Sequence, residues 1–299
     1  MNKQNWPYTN PVNPEIYNSQ TDWPKISIVT PSYNQGQFIE ETILSVINQN
    51  YPNLEYIIID GGSTDNTVEI IKKYEDKITY WVSEKDNGQA DAINKGIAKA
   101  TGDYFCFINS DDTFNPLALK ELVQCFTIDN IVLVYSNVYR VDEQSNILGK
   151  IWDISDVAET EHLIFRGCPF PQPGVIFRLE TLKSIGGMNS NLQLSFDYDC
   201  FLKLFFQGKF AKTEFVTANF RTHIAQKTFV SSTIETKEML HILNPYLKDK
   251  RLSLKQRQFL KQGIAVQYQL RSKIYKKQKN YILYAYYFVL FAVLYLPNK

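Results

Sequence analysis

No two cysteines stand close together in this 299-residue chain: Cys106, Cys125, Cys168 and Cys200 are widely separated and form no C-x-x-C pair. That spacing excludes a zinc cluster and a disulfide framework, and it sets a reduced, cytoplasmic compartment as the expectation. Excess charge is also missing, with 32 Lys and Arg against 31 Asp and Glu. A balance this even carries no electrostatic footprint for nucleic acid. Neither common phosphate loop occurs: there is no G-x-x-x-x-G-K-[ST], and no G-x-G-x-x-G follows a strand. If a nucleotide binds, a cation must neutralise its phosphates. The opening residues Met1 to Pro7 lack an apolar core, so no signal peptide is expected there. No internal repeat is visible.

What is present is a chain able to bury a core. Hydrophobic residues make up 44% of it, which argues against disorder. Residues 1–24, rich in Asn and Pro, read as an irregular lead-in. Ile26 to Thr30 reads as a buried strand stopped by Pro31, and Gln37 to Asn48 as a helix with Phe38, Ile39, Ile43, Val46 and Ile47 on one face. Tyr56 to Ile59 is a second strand, Thr67 to Tyr74 a helix capped by Ser63 or Asp65, and Thr79 to Val82 a third strand. Ala90, Ile93, Ile97 and Ala100 stripe the next helix, with Gly102 placed to end it in a left-handed conformation. Tyr104 to Ile108 is a fourth strand. This alternation predicts an α/β fold with a mostly parallel, doubly wound sheet and helices on both faces.

The ends of those strands carry the chemistry. The first runs into Tyr33 and Asn34, the second into Asp60, the third into Glu84 and Asp86, the fourth into Asn109, Ser110, Asp111 and Asp112. In an open parallel sheet these ends share one edge, where ligands bind. Carboxylates there can hold a hard divalent cation, which can in turn hold a diphosphate. Equally, Asp111 and Asp112 can cap a helix beginning near Asn115-Pro116. Further on, Asp197 and Asp199 open a helix containing Cys200, Phe201, Leu204 and Phe205, where the helix dipole alone would favour them. His223, after a further strand, reads as a metal ligand or as an ordinary hydrogen-bonding histidine.

Taken together, five segments resemble the family 2 glycosyltransferases, which have a nucleotide-sugar-binding GT-A fold. They are Val29 to Asn34, Ile59 to Asp65, Gly88 to Gly96, Asn109 to Asp112, and Asp197 to Asp199, all within about Ile26 to His223. The resemblance implies an inverting, metal-dependent transferase of the hexosyltransferase type, taking a sugar from a nucleoside diphosphate, foremost a UDP-sugar. The acceptor would be a saccharide or lipid-linked saccharide in surface polysaccharide or glycolipid synthesis, and no nucleic acid is involved. It assigns Pro31, Ser32, Tyr33, Asn34, Asp60, Gly88, Asp91, Asn94, Lys95, Asn109, Ser110, Asp111 and Asp112 to the nucleotide-sugar site. Within it, Pro31 and Tyr33 line the base pocket and Asp60 accepts from the base. Asp111 and His223 would bind Mn²⁺ or Mg²⁺, and Asp197, or alternatively Asp199, would be the general base. Two positions depart from the family pattern: Asn109 stands at the first position of the D-x-D element, and Gly61 replaces a carboxylate beside Asp60. A nucleotidyltransferase and a non-catalytic sugar-nucleotide binder remain as alternatives. The first usually needs a Gly-rich, basic loop after the first strand, which Pro31 to Asn34 does not supply.

The expected organisation is a lead-in at 1–24, a glycosyltransferase domain at 25–232 and a helical extension at 233–299. The domain divides into a nucleotide-sugar half at about 25–135 and an acceptor half at about 136–232. In the extension a basic run at 271–279 precedes an uncharged stretch from Tyr281 to Leu296. As a helix it would span about 24 Å, short of a hydrocarbon core of about 30 Å. Peripheral membrane contact through 271–296 at the inner face of the membrane, a packed helix, a homodimer contact and a true membrane span are all open at this stage.

Overall fold

The structure is a computed structural model that describes residues 6, 10–127, 130–151, 162–223 and 232–295. It falls into two compact units. The first comprises Met1–Asp153, Phe170–Ser190 and Lys203–His223; the second comprises Ile154–Pro169, Asn191–Leu202 and Ile224–Lys299.

The first unit is built on a mixed sheet. Its leading strands are β1 (Ile26–Ser32), β2 (Leu54–Asp60), β3 (Tyr80–Ser83) and β4 (Tyr104–Phe107), connected through helices α1 (Ile39–Ile47), α2 (Thr67–Lys73) and α3 (Gln89–Lys99). These four strands are parallel and lie in the order β3-β2-β1-β4. β1 is central and buried at every residue, as a strand covered on both faces must be. Antiparallel neighbours enter past β4. Strand β5 (Thr113–Phe114) precedes helix α4 (Ala118–Val123). β6 (Ile131–Val141), β7 (Ile147–Ile151) and β8 (Val175–Arg178) follow, then helix α5 (Leu179–Ser184), helix α6 (Phe196–Phe205), most of which belongs to the second unit, and strand β9 (Lys209–Arg221). The order continues from β4 through β8, β6 and β9 to β5, with β7 paired to β6.

Three local expectations are revised. β1 runs through Pro31 instead of stopping before it. The reason is register: β4 pairs with β1 only at Ile26 to Val29, so the missing N–H of Pro31 falls beyond the last β4 rung. Gly102 does not supply a left-handed helix end; α3 stops at Lys99 with Ala100 extended. Position 102 instead tolerates no side chain, since a Cβ there would lie 2.8 Å from the Ser27 backbone nitrogen. Asp111 and Asp112 do not cap α4, because β5 intervenes and the helix begins after Leu117 with no side-chain cap. The lead-in, where described, is anchored: Tyr17 and Trp23 are buried edge-to-face with each other, and the Tyr17 hydroxyl donates to the Gln49 carbonyl at 2.9 Å.

In the second unit, α7 (Ser232–Leu243), α8 (Leu254–Lys277) and α9 (Tyr281–Tyr295) dominate. α8 starts with a reciprocal capping box between Ser253 and Gln256. No helix among the described residues is long and apolar enough to cross a membrane.

Candidate functional site

The parallel register brings the loops after β1, β2, β3 and β4 to one edge, and direct hydrogen bonds lace them together. The Asn34 N–H donates to the Ser63 hydroxyl at 2.7 Å, and the Asn34 side-chain carbonyl accepts from the Thr64 N–H at 2.8 Å. The Gly36 N–H donates to Asp65 at 2.9 Å. Asn34 takes the left-handed conformation, φ 51°, that its short polar side chain tolerates. Beside it Tyr33 is 60% exposed, a large ring left in water at this edge. Pro31 and Ser32 are buried, and the Ser32 hydroxyl has no hydrogen-bond partner among the described residues.

Asp60 is buried at the end of β2 and serves as the knot of this edge. Its carboxylate accepts from the N–H groups of Gly62 and Ser63 and from the hydroxyls of Ser63 and Ser83, at 2.5–3.1 Å. Three of those four bonds fall on Oδ2, and the fourth, from the Ser63 hydroxyl, falls on Oδ1. Asp86, named among the polar strand ends but not among the site residues the resemblance implies, stands against Gly61: a Cβ built on Gly61 would meet Asp86 Oδ2 at 2.7 Å. The Asp86 carboxylate thus occupies the space that a side chain at position 61 would enter. Asp86 also accepts from the Gly88 N–H at 2.8 Å, and Gly88 opens α3 at φ +106°, a conformation costly for any side chain.

Along α3 the assigned residues divide. Asp91 accepts from the Asn87 N–H at 3.0 Å, and Lys95 pairs with Glu84 at 2.9 Å, so both tie the β3 loop to the helix. Asn94 exchanges two hydrogen bonds with the Met188 backbone, at 2.8 and 2.9 Å, and so anchors the turn after α5.

At the end of β4, Asn109 is held from three sides. Its carbonyl oxygen accepts from Gln89 at 2.6 Å, and its amide donates to Asp112 at 3.2 Å and to Gln172 at 3.3 Å. Ser110 is buried. Asp111 and Asp112 then part company. The Asp112 carboxyl is buried, accepts from the Arg221 N–H at 2.9 Å, and is pushed well above the usual carboxylate range by burial and by the adjacent Asp111. The Asp111 carboxylate lies 2.9 Å from Nε2 of buried His223. Both His223 and Arg221 come from the far end of β9. Arg221, absent from the sequence reading, donates to the Asp111 carbonyl at 2.8 Å, pairs with Glu41, and lies 4.8 Å from the Phe38 ring.

This donor set suits one kind of cation. No group of three His, Cys, Asp or Glu that could hold a metal occurs among the described residues. Asp111 and His223 therefore offer at most a partial shell, which fits Mg²⁺ or Mn²⁺ completed by diphosphate oxygens and water, and not a cation caged by protein alone.

In the second unit, Asp197 and Asp199 lie in the first turn of α6. Asp197 is half-buried, and burial, reinforced by Glu235 and Glu238, raises its carboxyl to about 6. Glu238 itself caps the chain before α6, accepting from the N–H groups of Gln193, Leu194 and Ser195 at 2.6–3.0 Å. Asp199 is buried, next to Tyr198, whose hydroxyl donates to the Ile164 carbonyl at 2.5 Å.

Strand order, helix placement and polar edge together define a GT-A fold, the α/β architecture of nucleotide-sugar enzymes. The model for glycosyl transferase family 2 matches residues 27–206, and the chain belongs to that family. An uncharacterized glycosyltransferase of Rickettsia typhi is 30% identical over 217 residues, covering 69% of this chain and 66% of that protein. The putative teichuronic acid biosynthesis glycosyltransferase TuaG of Bacillus subtilis is 39% identical over 108 residues, 35% of this chain and 43% of that one. Among solved structures, S. aureus TarS superposes with a TM-score of 0.68 at 20% identity, over 86% of this chain and 47% of TarS. A TarS fragment bound to UDP-GlcNAc gives 0.61 at 16% identity, over 87% of this chain and 89% of the fragment. The mannosyltransferase PcManGT of Pyrobaculum calidifontis, with GDP-Man and Mn²⁺, gives 0.61 at 15% identity, over 95% and 88%. The chain thus spans just under two-thirds of the Rickettsia relative and about half of TarS.

Proposed function

We propose that this chain is an inverting, metal-dependent glycosyltransferase that moves a sugar from a nucleoside diphosphate to a hydroxyl of a saccharide or lipid-linked saccharide. The observation that carries the reading is the division of labour between Asp111 and Asp112. One carboxylate is committed to the fold, while its neighbour is paired with a single histidine at the ligand edge of the sheet. In this reading Tyr33 stacks on the base, with Pro31 as its wall. Ser32, Asn34, Asp60 and Asp86 supply the polar rim, and Asn109 and Ser110 face the ribose or sugar. Asp111 and His223 would hold the cation, which as a Lewis acid supplies charge stabilisation to the departing diphosphate. The neighbours bound to UDP-GlcNAc and to GDP-Man with Mn²⁺ support a nucleotide-sugar donor. TuaG supports a surface polysaccharide as product.

Asp197 is the general base of this proposal. With its carboxyl at about 6 it is ionised at neutral pH yet basic enough to take a proton from an attacking hydroxyl. The acceptor oxygen forms a bond to the anomeric carbon as the bond from that carbon to the diphosphate oxygen breaks. The acceptor's proton goes to Asp197. Attack from the face opposite the leaving group inverts the anomeric configuration, and a single carboxylate suffices because no covalent sugar intermediate forms. Asp199 is the alternative base.

The test is transfer and donor hydrolysis with Mn²⁺ or Mg²⁺ by wild type and Asp197→Asn, with the anomer of the product read by NMR. The reading expects the variant to bind nucleoside diphosphate as wild type does and to lose transfer by about 10²–10⁴-fold. Undiminished transfer by the variant, or retained anomeric configuration, overturns it.

A further inference from the structure

The charge of this chain is segregated in a way its overall balance hides. From Lys250 to Lys299 there is no Asp or Glu, and eleven Lys or Arg. Four of these lysines, Lys273, Lys276, Lys277 and Lys279, lie exposed at the end of α8 and in the turn leading to α9. α9 itself has no charged residue.

One face of α9 is accounted for by α8. Tyr287 stacks on Tyr275 with ring centroids 5.4 Å apart, and the Arg271 guanidinium lies 4.8 Å from the Tyr287 ring. Among the described residues the opposite face has no such cover. Ile282, Tyr286, Val289 and Val293 are 84%, 57%, 57% and 71% exposed. Their spacing of four, three and four residues puts them in a single stripe, about 16 Å long at about 1.5 Å per residue. A surface helix ordinarily turns charged and polar residues toward water. Here the outward face is aliphatic and tyrosyl, and an exposed contiguous apolar surface of this kind marks an interaction site.

We infer that the α8–α9 hairpin is a docking surface for an anionic lipid bilayer. In that arrangement α9 lies in the interface, with Ile282, Val289 and Val293 among the acyl chains and Lys273, Lys276, Lys277 and Lys279 at the headgroups. Charge decides between occupants. A second copy would bring the same acid-free, cationic surface against itself, whereas an anionic membrane complements it. Length decides the mode. Fifteen residues make about 22 Å of helix, short of a hydrocarbon core of about 30 Å, so α9 lies along the bilayer instead of crossing it. Its tyrosines, placed at both the outer face and the start of the helix, suit the headgroup level. This inference does not depend on the catalytic reading, since it concerns adsorption and not transfer.

The test is flotation of the full chain with phosphatidylcholine vesicles and with vesicles containing about 30% phosphatidylglycerol, at low and high salt. Ile282→Ser/Val289→Ser/Val293→Ser and Lys273→Gln/Lys276→Gln/Lys277→Gln/Lys279→Gln are run alongside, with nucleoside diphosphate binding and thermal melts to show that each remains folded. The expected result is flotation with anionic vesicles only, weakened by salt, and reduced at least about tenfold in each variant while the melt is unchanged. Failure of wild type to float with anionic vesicles overturns the inference. So does equal binding to neutral vesicles, or variants that float like wild type. A concentration-dependent dimer that the apolar substitutions dissociate, without vesicle binding, overturns it in favour of self-association.

Discussion

Tyr33 shows how much a single side chain can reveal. It is a 60% exposed aromatic at the end of a fully buried strand, and in the proposed function a nucleobase stacks on it. Tyr33→Ala is expected to weaken nucleoside diphosphate binding by about 1–3 kcal/mol, as loss of base stacking does, with little change in melting temperature. Calorimetric titration beside a thermal melt checks both halves. Asp197 carries a pH prediction. Its carboxyl at about 6 must be ionised to act, so log kcat/KM should rise with unit slope below about pH 6 and level off above it. The stability effect has the opposite sense. Folding raises this carboxyl above its unfolded value, so the stabilisation it contributes is present below about pH 4 and lost as pH rises through about 6. Asp197→Asn should therefore gain about 1–3 kcal/mol relative to wild type between pH 4 and pH 7, read from denaturant melts at the two pH values. At this scale the sequence named Tyr33, Asp111, Asp197 and His223 because each follows a strand or opens a helix. The resemblance singled out Asp111 over Asp112 as the metal ligand, but no local pattern gave the physical ground, because the backbone of Arg221 that holds Asp112 lies more than a hundred residues away.

Among elements, β9 does the positioning that no local pattern announces. Its last residue, Arg221, is buried with its guanidinium donating to the carbonyls of Asp111, Asp142 and Glu143 and paired with Glu41; His223 lies two residues beyond. Arg221→Met would leave those acceptors unsatisfied and is expected to cost about 3 kcal/mol of stability. Arg221→Lys should recover only part of that, because an ammonium cannot reproduce the planar fork. Chemical denaturation of the two variants measures this; a melt unchanged in Arg221→Met would contradict it. The parallel strands β1 to β4 were legible because short β-branched or aromatic runs alternate with helical stripes. Strands β5, β7 and the full length of β6 and β9 were not, since their pairing is long-range and their edges mix polar with apolar residues. Pro31 illustrates the limit. Read locally it ends a strand; in register with a shorter neighbour it does not.

Over the whole molecule, two features complement each other without sharing residues. A polar sheet edge gathers a tyrosine, a knot of loop hydrogen bonds and an Asp–His pair, and a separate helical hairpin gathers cations and an apolar stripe. The even net charge of +1 concealed the second until charge was read by position and not in total. If the chain acts at a bilayer on lipid-linked acceptors, transfer to such acceptors should respond to anionic lipid, while hydrolysis of donor by water should not. A vesicle-dependence assay of the two reactions in parallel distinguishes this from a general effect on the enzyme. The central claim, however, rests on Asp111. Calorimetric titration of UDP and of GDP into wild type and Asp111→Asn, each with Mn²⁺ and with EDTA, tests it most directly. The account predicts that Mn²⁺ strengthens binding of the preferred nucleotide at least about tenfold in wild type and hardly at all in Asp111→Asn; binding that ignores Mn²⁺ in wild type, or a Mn²⁺ effect that survives the substitution, would contradict it.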